Sequence, residues 1–154
     1  MIQIEDETGS LSAAQLAEVG RVLEQYAAEQ DLLTGLQDGL PLFSLVFIDD
    51  EAIRGLNREH RGLDEATDVL SYPVHEPDDV GFPQLGFLGD VLISVDTAAV
   101  QARAAGHDLL SELLVLAVHG LTHLQGYDHQ TEEEWHTFEA AQSRILSLVR
   151  AGPS

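Results

Sequence analysis

The sequence predicts an α+β fold built as one domain, with an about four-stranded mixed sheet packed against helices, and three observations predict it. Four short stretches of strand character are interleaved with five longer stretches of helical period along 154 residues, a length that suits a single domain. Helix-starting residues stand where those helices should begin, twice with the reciprocal partner of a capping box three positions on: Ser12 with Gln15, and Thr131 with Glu134. The stretch 108–125 is apolar around most of its circumference, which marks a central, buried helix.

Taken in order, residues 1–5 alternate apolar and polar side chains, as a half-buried first strand does. The Ser12 box opens a helix of about 17 residues whose apolar face is Leu16, Val19, Leu23 and Tyr26. Residues 31–39 form a polar, glycine-containing connection. Residues 42–48 are a nearly continuous apolar run bounded by Pro41 and Asp49, which suits a buried strand, and Asp50 is placed to cap a short helix to about His60. Val69, Leu70 and Tyr72 read as a strand that Pro73 stops. Residues 88–95 read as another, expected to pair back on it antiparallel across the acidic, proline-containing loop 75–84. Asp96 is expected to cap a helix over 97–105 that Gly106 ends. The Thr131 box opens a last helix to about Val149, with Trp135, Phe138, Ile145, Leu146 and Val149 as its inner face. The domain is thus predicted over 1–150, with 151–154 as a flexible tail.

The chemistry concentrates at the far end of the central helix. His119 and His123 are four residues apart, so on a helix both imidazoles lie on one face about 6 Å apart along the axis and reach a single ion. Gly126 tolerates the left-handed conformation in which helices commonly end, and His129 then returns as a third ligand. Three neutral imidazoles leave one position of a tetrahedral zinc open, the arrangement of a catalytic site; with no cysteine in the chain, thiolate-rich structural sites are excluded. The spacing is also that of the metzincin proteases, whose general-base glutamate follows the first histidine. Here that position is Gly120, so the protease base is missing. His60, His75, His107 and His136 have no comparable spacing and read as surface or cap residues.

Lys+Arg 7 against Asp+Glu 27 gives a formal net charge of -20, and all seven cations are arginine. That argues against general affinity for nucleic acid, so any polyanion must be held locally. Arg54, Arg58 and Arg61 crowd into one stretch and are the candidates for phosphate contact. No apolar run has transmembrane length and no basic, then apolar, leader is present, so a cytoplasmic protein with no membrane partner is expected.

Three separated stretches together carry a resemblance: His119-Gly-Leu-Thr-His123-Leu-Gln-Gly126-Tyr-Asp-His129, Arg61 with Thr67-Asp68-Val-Leu-Ser-Tyr-Pro73, and Leu88-Gly-Asp90-Val-Leu-Ile-Ser94. In order and type they resemble the YbeY endoribonuclease family. The resemblance implies a compact domain similar to the zincin fold and a zinc-dependent, single-strand-specific endoribonuclease of the bacterial cytoplasm. It implies action on ribosomal RNA at the 16S 3′ end and in ribosome quality control, with the small ribosomal subunit and an associated GTPase as partners. It also implies one Zn2+ per chain held by His119, His123 and His129, with Arg61 in the active site.

Beside the ligands, Asp128 could accept a proton or orient a histidine. Asp68 and Asp90 could support the site or merely cap strand starts. Two other classes stay open at this point: a zinc metallopeptidase with the same ligands, and a non-catalytic ribosome-assembly factor with a structural metal.

Overall fold

A computed structural model describes residues 2–34, 36, 39–74 and 87–151. Its elements run β1 (Gln3–Asp6), α1 (Ala13–Glu29), β2 (Ser44–Ile48), α2 (Asp50–Arg61), β3 (Val69–Pro73), β4 (Gly89–Ser94), α3 (Val95–Ala105), α4 (Leu109–Leu124) and α5 (Glu132–Ala151). The four strands form one mixed sheet in the order β1-β2-β4-β3. β1, β2 and β4 are parallel neighbours, while β3 pairs antiparallel with β4, Val69 opposite Ile93 and Tyr72 opposite Asp90. The α+β class and the β3–β4 hairpin are as predicted. The predicted loop 75–84 lies outside the described residues.

Strand alternation divides the apolar side chains between two faces. Leu45 and Phe47 of β2 and Val91 and Ile93 of β4 point into the main core with α1, α4 and α5, and all four are fully buried. Ile48 and Leu70 turn the other way and pack with Ile53 of α2, with Tyr72 and Leu92 packed against them. α4 has Leu113, Leu114, Leu116, Ala117, Val118 and Leu121 all buried, which is why a helix apolar nearly all round is stable here. Among the described residues no single helix is long and apolar enough to cross a membrane.

The capping box of α1 forms as expected, Ser12 Oγ accepting from Gln15 N–H and Gln15 Oε1 accepting from Ser12 N–H. Two other caps differ from expectation. Asp49, not Asp50, caps α2 by accepting from Ala52 N–H, and Ser94, not Asp96, caps α3 by accepting from Thr97 N–H. β4 runs straight into α3, so its last residue is already the cap. The displaced aspartates instead tie the two helix starts together: Asp50 accepts from the hydroxyls of Ser94 and Thr97, and Asp96 accepts from Asp50 N–H.

The inner face of α5 also differs at its start. Phe138, Ala141, Ile145 and Leu148 are buried, but Trp135 is 44 % exposed, because the core ends below the helix's first turn. Of the predicted tail, Ala151 still belongs to α5, and 152–154 lie outside the described residues.

Candidate metal centre

α4 holds His119 and His123 on its last two turns, where both line a cavity bordered by Val69, Leu70 and Ser71 of β3. The helix ends at Leu124, and Gly126, at φ 98, takes the left-handed turn that brings the chain back so that His129 meets the other two. The ring centroids lie 4.9 Å (119–123), 5.3 Å (123–129) and 5.7 Å (119–129) apart. One ring nitrogen from each falls within 4.8 Å of the others, close enough for all three to hold one ion.

The donor chemistry fits a metal. Burial, with the neighbouring His123 and His129, pushes the His119 imidazole down to about 4, partly offset by Asp68, so that it is neutral near pH 7. His123 is lowered by the same burial. His123 Nδ1–H donates to the Tyr127 carbonyl at 3.1 Å, which selects the tautomer with Nε2 free to coordinate.

Arg61, the last residue of α2, is exposed and lines a cavity of about 560 Å³ together with Asp68, Ser71, Asp128 and the three histidines. Its neighbours in the predicted cluster are engaged elsewhere: Arg54 forms a two-pronged pair with Asp64, and Arg58 approaches the same carboxylate at 3.8 Å. Gly62, left-handed at φ 71, ends α2 directly after Arg61. Among the described residues Arg61 has no ion-pair partner, so of the three arginines it is the one left for a ligand.

The three aspartates separate. Asp68 lines the cavity and also caps the start of β3, its Oδ1 accepting from Val69 N–H at 2.8 Å and its Oδ2 from Gln101 at 3.3 Å. Asp128 lines the cavity with Oδ1 accepting from His129 N–H at 2.8 Å. Asp90 is not part of this site. Its neighbour Val91 faces α4, so alternation turns Asp90 to the opposite face of the sheet, where it lines a separate apolar cavity with Val46, Tyr72 and Leu92.

A family model for Endoribonuclease YbeY matches residues 1–150. The chain belongs to the YbeY endoribonuclease family. Relatives bearing the name Endoribonuclease YbeY include those of Thermus thermophilus, 52% identical over 105 residues (68% of this chain, 74% of the relative), and Geobacillus kaustophilus, 43% identical over 147 residues (92% and 91%). The Bacillus subtilis relative is 40% identical over 151 residues, covering 95% of this chain and 93% of its own. The solution structure of a Thermotoga maritima protein superposes with a TM-score of 0.64 at 23% identity, covering 99% of this chain and 94% of that one, and shares the fold.

Three contributors to the centre escaped the sequence reading. Phe138 lies beneath all three imidazoles, with centroids 4.7, 4.8 and 5.4 Å from His119, His123 and His129. Of the capping box read at Thr131 and Glu134 one half stands, Thr131 Oγ1 accepting from Glu134 N–H; the Glu134 carboxylate instead accepts from the Thr131 hydroxyl and from Asp128 N–H at 3.1 Å, and so fastens the 126–129 loop to α5. Gly120 is pressed against the sheet: a Cβ there would sit 2.6 and 2.9 Å from the two methyls of the buried Val91 and 3.2 Å from Ser71 Oγ.

A glutamate at the protease-base position is therefore excluded by packing as well as by sequence. Gly120→Ala is expected to cost roughly 1–3 kcal/mol as overpacking. Gly120→Glu, which also buries a carboxylate against β4, should yield no folded protein. Denaturant unfolding of the two variants checks this, and wild-type stability in Gly120→Glu contradicts the packing described.

Proposed function

We propose that this protein is a metal-dependent endoribonuclease that cuts single-stranded RNA, with zinc as the ion and ribosomal RNA, at the 16S 3′ end, as the substrate. The observation that carries the reading is the sharing of one open cavity by the three histidines and Arg61, which has no ion-pair partner among the described residues, with glycine and not a carboxylate at position 120. His119, His123 and His129 would hold a divalent ion, which when bound would supply Lewis acidity to acidify water and polarise a phosphoryl oxygen.

The chain's own residues do the rest. The planar fork of Arg61 engages two phosphate oxygens and stabilises the added negative charge of the transition state. Phe138 and the Tyr127 carbonyl hold the ligand rings in place. Asp68 uses both carboxylate oxygens on Val69 and Gln101, whereas Asp128 uses one on His129 among the described residues. Asp128 is therefore the carboxylate available to hold a proton during the reaction. Action in the cytoplasm on the small ribosomal subunit, with an associated GTPase, is part of the same proposal and rests on family membership.

A peptidase would use the same ligands but lacks the base, a loss of about 10²–10⁴-fold. A non-catalytic assembly factor has no need of an arginine in the cavity beside the ion. The test presents the purified, zinc-loaded protein with single-stranded RNA and with unstructured peptides. RNA cleavage that chelation stops, without proteolysis, is the expected result; zinc-dependent proteolysis without RNA cleavage overturns the reading.

A further inference from the structure

A chain with 27 acidic and 7 basic side chains repels RNA at long range, and the side of the centre beyond His129 is locally worse. The first two turns of α5 carry Glu132, Glu133, Glu134 and Glu139 and no arginine. Phosphates gain nothing there. A strand that runs past His129 is better held on that side through its bases than through its phosphates.

One side chain in that place suits a base. Trp135, the chain's single tryptophan, stands 44 % exposed on the first turn of α5. Its ring meets His129 edge-on, with centroids 5.4 Å apart and planes at 90°, and lies near-parallel to Phe138 at 6.5 Å and 30°. Two ring neighbours restrain the indole, so it is presented in a set orientation and little freedom is lost when something stacks on it. Phe138 covers part of the indole from the core side, and nearly half of Trp135 is left open to solvent. Nucleobases stack on aromatic faces without regard to charge, at about 1–3 kcal/mol per base.

We infer that Trp135 is a stacking platform for an unpaired nucleobase of the substrate, adjoining the phosphodiester held between the metal centre and Arg61. The inference rests on the endoribonuclease reading and deepens it. A base within a duplex is already stacked and paired, so a platform of this kind favours single strands, and it offsets part of the affinity that the acidic surface removes.

The single tryptophan makes the site its own reporter. The zinc-loaded protein is titrated with a short 2′-O-methyl oligoadenylate, verified intact afterwards, and with an abasic oligomer of the same backbone and charge, while tryptophan fluorescence is read. Trp135→Leu and Trp135→Tyr are compared for KM on single-stranded RNA and for bound zinc. The expected result is quenching by oligoadenylate but not by the abasic chain. Trp135→Leu should raise KM by about 5- to 150-fold at unchanged zinc content, with Trp135→Tyr near wild type. Equal quenching by the abasic chain, or an unchanged KM in a Trp135→Leu protein that still cuts RNA, overturns the platform while leaving the nuclease reading intact. Loss of zinc in step with affinity in Trp135→Leu also overturns it, because the indole then serves to shield His129. A wild-type protein that neither binds nor cuts RNA overturns both.

Discussion

His123→Ala is expected to give a folded protein that carries well under one zinc per chain and cuts no RNA. The fold should survive because α4 is held by its buried leucines, and the side chain removed contributes mainly a ring contact with Phe138 and one hydrogen bond to the Tyr127 carbonyl. Such a bond is worth about 0.5–1.5 kcal/mol, well inside the stability of an ordinary domain. The metal should not survive, because only His119 and His129 remain as ligands of the triad. Metal analysis alongside circular dichroism and an RNA assay reads all three properties, and an unchanged zinc stoichiometry removes His123 from the ligand set.

Arg61→Lys should keep its zinc and lose RNA cleavage by on the order of 10²-fold, the scale of losing an oxyanion donor. Lysine keeps the charge but replaces the two-pronged fork with a point charge, so the size of the loss measures geometry and not net charge. The internal control is Arg150→Lys on the last turn of α5, remote from the cavity, which should be nearly silent. Arg54 and Arg58 are no substitute for Arg61, because Asp64 engages both. Equal activity of Arg61→Lys and the wild type across a salt series would make Arg61 a solvated helix-end residue.

The meeting of His119, His123 and His129 was legible because local geometry alone brings them together. A four-residue helical spacing and a glycine that turns the chain are properties of 119–129 by itself. The β3–β4 pairing was legible for a similar reason, through Pro73 as a stop and the apolar run that follows. What could not be read depends on tertiary parity. Asp90 was misplaced because membership of the site turns on which face of β4 looks toward α4, and one residue of register decides that. The caps of α2 and α3 slipped because Asp49, Asp50, Ser94 and Asp96 all have cap-competent side chains within two residues of a helix start, and only the meeting of the two helices distributes them. Trp135 has the period of a core residue, but the helix outruns the core at that end. Phe138 was assigned to packing, and what it packs against is visible only when α5 folds back on the ligand loop.

If one ion in the histidine triad is what makes this chain cut RNA, activity must follow its occupancy. The most direct measurement is to strip the protein with a chelator and titrate zinc back while following turnover of a single-stranded RNA, in the wild type and in His123→Ala. The wild type should be inactive when stripped and should regain full turnover at one zinc per chain, while His123→Ala stays inactive throughout. Full activity in the stripped protein, or zinc-restored activity in His123→Ala equal to the wild type's, would contradict the claim.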